Sequence, residues 1–472
     1  MVDVAASPDG TDLAVVGAGP GGYTAALRGA QRGLDVTLIE RETVGGVCLN
    51  HGCIPAKSLI HAAGFQRDIQ HWNDIGIQTG DVEVDFQAVQ SWKKSVVQRL
   101  DENVLDGLAE AGVTYVDGTA WFEDATTLGV TDDDSESTIA FDDAVIATGS
   151  EPLEIPGLEF DREGVISSRE ILQLDEVPGE LIVVGGGYIG MEAVTKFAKF
   201  GATVKVVEAR DRVLGMFESE VVDAIQETSE MYDNEIYTGA LATDIEYDDD
   251  GDPLLVVEQD GDERRLSGKY VIVAAGRDTT AHTERLQLDN TDVERTEDGY
   301  IDTDARMRTT DGNVLCVGDA AGEPFLAHVA YRQGKVAGAV AAGGDDSFGE
   351  EYVPAVMYTD PEVAVVGLNE TEAREAYGTL QVGRVPMDTS GRALSANKPA
   401  GYAKVVADGS GQLLGVQVVG ARASDTIAEA TLALELDATL EDITKTMHAH
   451  PTFPEALAEA AEAAVGESIH AH

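Results

Sequence analysis

The segment at 45–57 reads GGVCLNHGCIPAK and holds two of the chain's three cysteines, Cys48 and Cys53. Thiols this sparse and this close together suit a redox pair or a metal site better than a structural staple. A structural zinc site takes four ligands, and no second cysteine cluster supplies them, so the redox reading leads and no metal is expected. In an ideal α-helix, residues five apart have Cα atoms roughly 8–9 Å apart, beyond the ~7 Å limit for a disulfide. The two sulfurs can bridge only if the turn between them is distorted or precedes the helix proper. Gly45, Gly46 and Gly52 permit that, and Pro55 suits the first turn of a following helix. A second group lies in HAHPTFPE at 448–455, where His448, His450 and Glu455 share a proline-bracketed loop. Thiol–disulfide exchange needs a base, because the thiolate is the nucleophile, and a histidine oriented by a carboxylate can be one.

These groups need elements to position them, and the chain carries one such device twice. DLAVVGAGPGGYTAALRGAQRGLDVTLIE runs from Asp12 to Glu40, and ELIVVGGGYIGMEAVTKFAKFGATVKVVE from Glu180 to Glu208. Each reads as an apolar strand, a Gly-rich turn, a helix and a second strand ending in an acid. The glycines are Gly17, Gly19 and Gly22 in the first copy and Gly185, Gly187 and Gly190 in the second. The first of each set makes the tight turn, the second lets backbone approach a pyrophosphate, and the third lets helix and strand pack closely. The helix N-terminus offers unpaired N–H groups to phosphate. First glycine and acid are 23 positions apart in both copies, which are offset by 168. Two dinucleotides are expected. Glu40 and Glu208 would repel a ribose 2′-phosphate, which favours FAD or NAD over NADP, and Arg210 and Arg212 read as solvated loop residues. The cysteines begin eight residues after Glu40. A hydride carrier and a dithiol need an intermediary that accepts both kinds of transfer, and a flavin is one. FAD is therefore expected at the first copy and NAD at the second.

The whole chain, 472 residues with 43% hydrophobic residues, can fill several cores. Its 86 acidic and 32 basic residues give a net charge of −54, and only 11 of the bases are lysine. Such a surface repels itself and needs the strong screening of molar salt, where the Debye length shrinks to about 3 Å. The composition points to a halophile of the haloarchaeal kind, and nothing in it could replace counterions on nucleic acid. Acid runs at 132–134, 248–252 and 343–351 read as solvated loops. No run long and apolar enough for a membrane span or a signal peptide occurs, so a cytoplasmic protein is expected.

With these stretches in view, the chain resembles the flavin-dependent pyridine nucleotide-disulfide oxidoreductases, and within them most nearly the lipoyl-oxidising branch. The resemblance rests on GGVCLNHGCIPAKSL at 45–59, ATGS at 147–150, GGGYIGMEA at 185–193, AAGR at 274–277, VGDA at 317–320, LAHVAYRQG at 326–334 and MHAHPTFPEALAEAA at 447–461. It implies that Cys53 is the flavin-proximal thiol and Cys48 the interchange thiol. Lys57 would lie beside the flavin with Glu192 as its ion-pair partner, lowering the pKa of a neighbouring thiol. His450 would be the base and Glu455 its orienting carboxylate, with His448 packing or capping backbone. Asp319, Ala327 at the LAH turn, Gly118, Thr148 and Gly149 would line the FAD, and Gly276 the NAD. Because the family completes each site with the neighbouring subunit's C-terminal segment, a homodimer is implied. No role is expected of His51, a loop residue, or of Cys316, a buried thiol, and Tyr188 does not discriminate among branches. ARASD at 421–425 departs from the glutamate-bearing segment usual in lipoyl enzymes.

The expected fold class is α/β, with two Rossmann-like dinucleotide domains and a C-terminal α+β dimerisation domain. The boundaries are 1–150 for the FAD domain, 151–276 for the NAD domain, 277–349 for a central segment completing the FAD site, and 350–472 for the interface domain. The expected reaction oxidises protein-bound dihydrolipoamide with NAD⁺. The partner would be the lipoyl domain of a 2-oxo acid dehydrogenase or glycine cleavage system. The nearest alternative, an NAD(P)H-dependent reductase of another small disulfide such as glutathione, would place arginines where Glu208 stands. A mercuric reductase would carry further cysteines near GESIHAH. A non-catalytic subunit that binds lipoyl domains would not need Cys48, Cys53, His450 and Glu455.

Overall fold

The computed structural model describes residues 8–470 apart from 79, 81, 132–134, 350 and 351. The acid run at 132–134 and the end of the run at 343–351 thus lie outside the described residues, while that at 248–252 forms the exposed turn of a hairpin.

The first nucleotide unit opens with β1 (Gly10–Val16), α1 (Pro20–Gln31) and β2 (Val36–Glu40). Leu13, Ala14, Val15 and Leu38 are fully buried, as a parallel strand covered on both faces requires. The cysteine segment follows as α2 (Gly46–Asn50) and α3 (Cys53–His71), and α4 (Phe86–Glu110) packs beside α3. Then come β3 (Thr114–Asp117), β4 (Thr119–Asp124), β5 (Thr127–Thr131) and β6 (Glu136–Ile146). The sheet order is β3-β2-β1-β6-β5-β4. Strands β3, β2, β1 and β6 run parallel, and β4–β6 form an antiparallel meander.

The chain crosses to the second unit through β7 (Glu151–Pro152). This unit comprises β8 (Val165–Ser167), β9 (Glu180–Val184), α5 (Tyr188–Lys199), β10 (Thr203–Glu208), α6 (Ser219–Glu230) and β11 (Glu235–Thr238). A three-stranded meander follows, made of β12 (Ala240–Tyr247), β13 (Pro253–Gln259) and β14 (Asp262–Ser267), before β15 (Tyr270–Val273) returns to the main sheet. Its parallel order is β11-β10-β9-β15-β8. The return strand β16 (Arg277–Asp278) pairs antiparallel with β7, so entry and exit share one two-stranded ribbon.

After α7 (Thr280–Arg285), β17 (Val314–Cys316) joins the first sheet beside β6, and α8 (Ala327–Ala341) lies against α1. That approach is close because two glycines line it. A Cβ at Gly334 would sit 2.3 Å from the Gly21 carbonyl oxygen, and one at Gly338 would sit 2.4 Å from that of Ala25. Cys316 is fully buried in β17.

The last region is an antiparallel sheet of order β18-β19-β22-β21-β20. Its strands are β18 (Ala355–Met357), β19 (Val363–Gly367), β20 (Leu380–Pro386), β21 (Tyr402–Asp408) and β22 (Leu413–Val419). Short helices α9 (Glu370–Tyr377) and α10 (Gly391–Ser395) interrupt the sheet, and α11 (Ala423–Glu435), α12 (Leu440–Lys445) and α13 (Glu455–Ala464) follow it. No helix among the described residues is long and apolar enough to cross a membrane.

Candidate active site

A cavity of about 880 Å³ joins the first Gly-rich turn to the cysteine helices. Cys48 lies inside the five-residue α2, and Cys53 is the first residue of α3. The helical path breaks between them at Gly52, with φ −142° and ψ −106°. That break is the distortion which spacing within a single helix would forbid. Both thiols are free, and they are hydrogen-bonded to each other. The bond from Cys48 lowers the Cys53 pKa to about 7; burial opposes this, and the Lys57 cation adds to it. Cys48 moves the opposite way, raised by that same bond and by burial. The pair is thus divided into one thiolate former and one retained thiol.

Lys57, four residues along α3 from Cys53, donates to both oxygens of Glu192 on α5, at 2.9 and 2.8 Å. Burial alone would discharge this lysine, but Glu192 and Cys53 outweigh it and hold its pKa above the ordinary value. Glu192 also accepts the Tyr358 N–H at 3.1 Å. One ion pair therefore ties the cysteine helix to the helix of the second nucleotide unit.

The first Gly-rich turn supplies the opposite end of the cavity. Helix α1 begins at Gly19 with no side-chain cap, so its N–H groups face the cavity unpaired. A Cβ at Gly19 would meet nothing within 4 Å, whereas one at Gly22 would lie 1.8 Å from the Gly17 carbonyl oxygen. Gly22 therefore sets the packing behind the turn, and Gly19 leaves room in front of it. Glu40 Oε2 accepts the Ala18 N–H at 2.6 Å, and burial raises its pKa against three such backbone bonds. Gly118, Thr148 and Gly149 line the same cavity, and Thr148 Oγ1 is buried without a partner. Asp319 and Ala327 complete this wall. Asp319 accepts a hydrogen bond from Ser150, whose hydroxyl and carbonyl oxygens in turn accept from Arg277 at 2.7 and 2.6 Å. An uncapped helix end, an orphan hydroxyl and a Cβ-free gap on one wall fit a bound dinucleotide.

The second unit repeats the local geometry. Glu208 Oε2 accepts the Gly186 N–H at 2.7 Å, and a Cβ at Gly190 would fall 2.0 Å from the Gly185 carbonyl oxygen. Helix α5 also starts uncapped, at Gly187, where a Cβ would meet open space. Gly185, Gly187, Gly190, Glu208 and Gly276 stay off the wall of the main cavity, although Tyr188 and Glu192 reach it. Arg212 is spent on the Gly215 carbonyl at 3.0 Å.

His450 and Glu455 do not join the cysteines within one chain. The His450 side chain is 79% exposed and absent from the cavity wall, with Nδ1 2.7 Å from Glu455 Oε1. The Thr452 N–H and His450 hold Glu455 below the usual carboxylate pKa despite burial. His448 is nearly buried between the Thr446 carbonyl and Glu429, at 3.0 and 2.8 Å. His51 is more than the loop residue its position suggested. Its Nε2 lies 2.9 Å from Arg169, which also binds Glu42 at 2.9 Å, so the redox loop is linked to the second unit. The bridges Ser150–Arg277 and His51–Arg169 were missed, since they join residues 118 or more positions apart. Ser150 and Arg277 do stand in the ATGS and AAGR stretches, which was the available signal.

Comparison with known proteins agrees with this geometry. The family model described as pyridine nucleotide-disulphide oxidoreductase matches residues 11–334, and its dimerisation domain matches 353–461. The chain is 44% identical over 465 residues to dihydrolipoyl dehydrogenase 2 of Haloarcula marismortui, covering 98% of each. It is 41% identical to dihydrolipoyl dehydrogenase of Bacillus subtilis, also at 98% coverage of each. Among solved structures it is similar to LpdA from Mycobacterium tuberculosis, with a TM-score of 0.88 at 25% identity over 96% of this chain and 99% of the other. A paired dithiol, two nucleotide units and a terminal antiparallel sheet, matched from end to end, make this chain a member of the pyridine nucleotide-disulphide oxidoreductase family.

Proposed function

We propose that the protein is a dihydrolipoyl dehydrogenase, a homodimer that oxidises the dihydrolipoamide of a lipoyl domain in a salt-rich cytoplasm. The observation that carries this reading is the polarised Cys48–Cys53 pair beside the Lys57–Glu192 ion pair, in the cavity that reaches the first nucleotide turn. Relatives at 41–44% identity over almost the whole chain bear the dihydrolipoyl dehydrogenase name.

FAD is held by Gly17, Gly19, Glu40, Gly118, Thr148, Gly149, Asp319 and Ala327, and NAD by Gly185, Gly187, Glu208 and Gly276, with Gly22 and Gly190 packing each turn. Bound there, FAD would supply the two-electron link between the dithiol pair and NAD⁺. The chain's own residues handle sulfur and protons. The partner's His450, oriented by the partner's Glu455, removes a proton from the substrate dithiol, whose thiolate attacks Cys48 of the oxidised Cys48–Cys53 disulfide, breaking that bond and releasing Cys53 as a thiolate. The second substrate sulfur then displaces Cys48 from the mixed disulfide, leaving oxidised lipoamide and a reduced pair. Lys57 and the hydrogen bond from Cys48 keep Cys53 as a thiolate. The exposure of His450, and its absence from its own chain's cavity wall, support a site completed by a second copy.

The test is an assay in molar KCl with dihydrolipoamide and NAD⁺, run beside NADPH with glutathione disulfide. NADH formation that disappears in Cys53→Ser and His450→Gln is expected. Reduction of glutathione disulfide by NADPH without lipoyl activity would replace this reading with that of a small-disulfide reductase.

A further inference from the structure

The redox loop holds a side chain that neither the nucleotide turn nor the dithiol requires. His51 closes α2, and the helical path breaks at Gly52, between His51 and Cys53. Most hydrogen bonds of this stretch stay inside it. Asn50 Nδ2 donates to the Val44 and Gly46 carbonyls at 2.7 and 3.2 Å, and the His51 N–H donates to that of Val47 at 2.8 Å. The His51 ring is the exception, because its Nε2 meets Arg169 Nη2 at 2.9 Å, 118 positions away. A guanidinium can only donate, so Nε2 carries the lone pair and the neutral ring keeps its proton on Nδ1. The charged groups around the ring are Arg169, Glu42 and Glu170. Burial and Arg169 lower the His51 pKa and the two carboxylates oppose them, so the acceptor stays unprotonated at neutral pH.

Arg169 is itself well anchored. It precedes the short 3-10 turn Glu170–Gln173, and its N–H donates to Ser167 Oγ at 3.0 Å. Glu170 accepts the Ser167 N–H at 2.7 Å. Helix α4 fastens the turn from the other side, where buried Gln90 donates to the Leu174 carbonyl at 2.8 Å and buried Lys93 to that of Leu172. The guanidinium also donates to Glu42 at 2.9 Å, just past the end of β2. One end of the bridge is therefore set by packed structure. The other is a turn that ends at a glycine, the most permissive of residues.

We propose that His51 is a positioning residue of the dithiol: tied to Arg169, it fixes the break at Gly52 and so keeps the Cys48 thiol on the Cys53 sulfur after the disulfide opens. The inference rests on the disulfide reading above. In the oxidised protein the S–S bond holds the two residues together by itself. Reduction by the substrate dithiol adds two electrons and one proton to that bond, giving Cys48 as a thiol and Cys53 as a thiolate. What then links the sulfurs is the hydrogen bond from Cys48, the largest influence lowering the Cys53 pKa. Such a bond weakens steeply with distance and angle, so it depends on a frame held still across Gly52. Neither His51 nor Arg169 is among the main charges acting on the two sulfurs, so their effect on acidity passes through position.

The test reads the acidity of the pair. Flavin-loaded protein in molar KCl is reduced with one equivalent of dihydrolipoamide, freed of small thiols and alkylated with iodoacetamide from about pH 5 to 9, which gives the first apparent pKa of the pair. Cys316 is fully buried and stays out of the count. His51→Val and Arg169→Met should each raise that pKa by roughly one unit, slowing alkylation at about pH 6 roughly tenfold. The double variant should move it no further, as for two residues acting through one bond. His51→Gln, whose Oε1 can still accept from Arg169, should keep the wild-type value. Thermal melting of each variant separates positioning from stability. A lower Tm with unchanged acidity would make the bridge a structural staple and overturn the inference, as would a shift in His51→Gln as large as that in His51→Val. Failure of the wild type to gain two thiols on reduction would overturn the disulfide reading with it.

Discussion

The two nucleotide units share sequence device, strand order around the turn and the bond from acid to loop, yet the rest of the chain treats them differently. In the first, α2, α3, the meander and the returning segment through β17 and α8 build walls, so Gly19, Glu40 and Asp319 face one large cavity. In the second, Gly187 and Glu208 stay outside that cavity, although α5, the segment at 168–172, Met216, Phe217 and Ile272 contribute to its wall. The comparison teaches that the fingerprint specifies a phosphate cradle, while the later elements decide whether its ligand is enclosed or exchangeable. On the function proposed above, the enclosed unit holds FAD and the open one NAD.

Five substitutions break or sharpen that contrast. Cys53→Ser removes the thiolate that couples the enclosed unit to the substrate. Dihydrolipoamide–NAD⁺ activity should fall by a factor on the order of 10³ or more, with flavin content unchanged in the absorption spectrum. Gly22→Ala and Gly190→Ala introduce the same collision against a carbonyl oxygen, at 1.8 and 2.0 Å. Each should cost about 1–3 kcal/mol of local packing, measured by thermal unfolding. The first should lose FAD, and the second should keep FAD and raise the KM for NAD⁺ about tenfold or more; equal loss of FAD in both would erase the distinction between units. Glu208→Ala should narrow the preference for NAD⁺ over NADP⁺ by about tenfold in kcat/KM, as like-charge repulsion of a 2′-phosphate is removed. Thr148→Val is the smallest change and has two signs. Losing an unpaired buried hydroxyl should stabilise the flavin-free protein by about 1 kcal/mol while weakening FAD binding, read from melting with and without added FAD.

How much of this was legible in the sequence depends on how far apart the partners stand. Cys48 with Cys53, and each glycine triplet with its acid, sit within one supersecondary unit, so spacing alone carried their geometry. The repeat likewise announced two nucleotide units, though not the antiparallel meander β4–β6 in the sheet of the first. Lys57 with Glu192 spans 135 positions and was reachable only through family resemblance, as were Asp319 and Ala327. Resemblance said nothing of His51, whose bond to Arg169 depends on where two sheets are docked, or of Lys93. In a strand- and helix-pattern reading, Lys93 is one more charge on an amphipathic helix. Only packing reveals that its face of α4 is buried. His450 shows the reverse case: the resemblance offered it as a base, yet it is exposed and off the cavity wall that holds the cysteines of its own chain.

The partial burial of the Lys57–Glu192 pair has a consequence for so acidic a chain at high salt. The Glu192 side chain is 7% and that of Lys57 32% exposed, so salt screens this pair less than it screens the exposed carboxylates. Stability should then vary with external potassium more steeply than the nucleophilicity of Cys53 in the folded protein. The coat of carboxylates is free to adapt to habitat without retuning the chemistry beneath it.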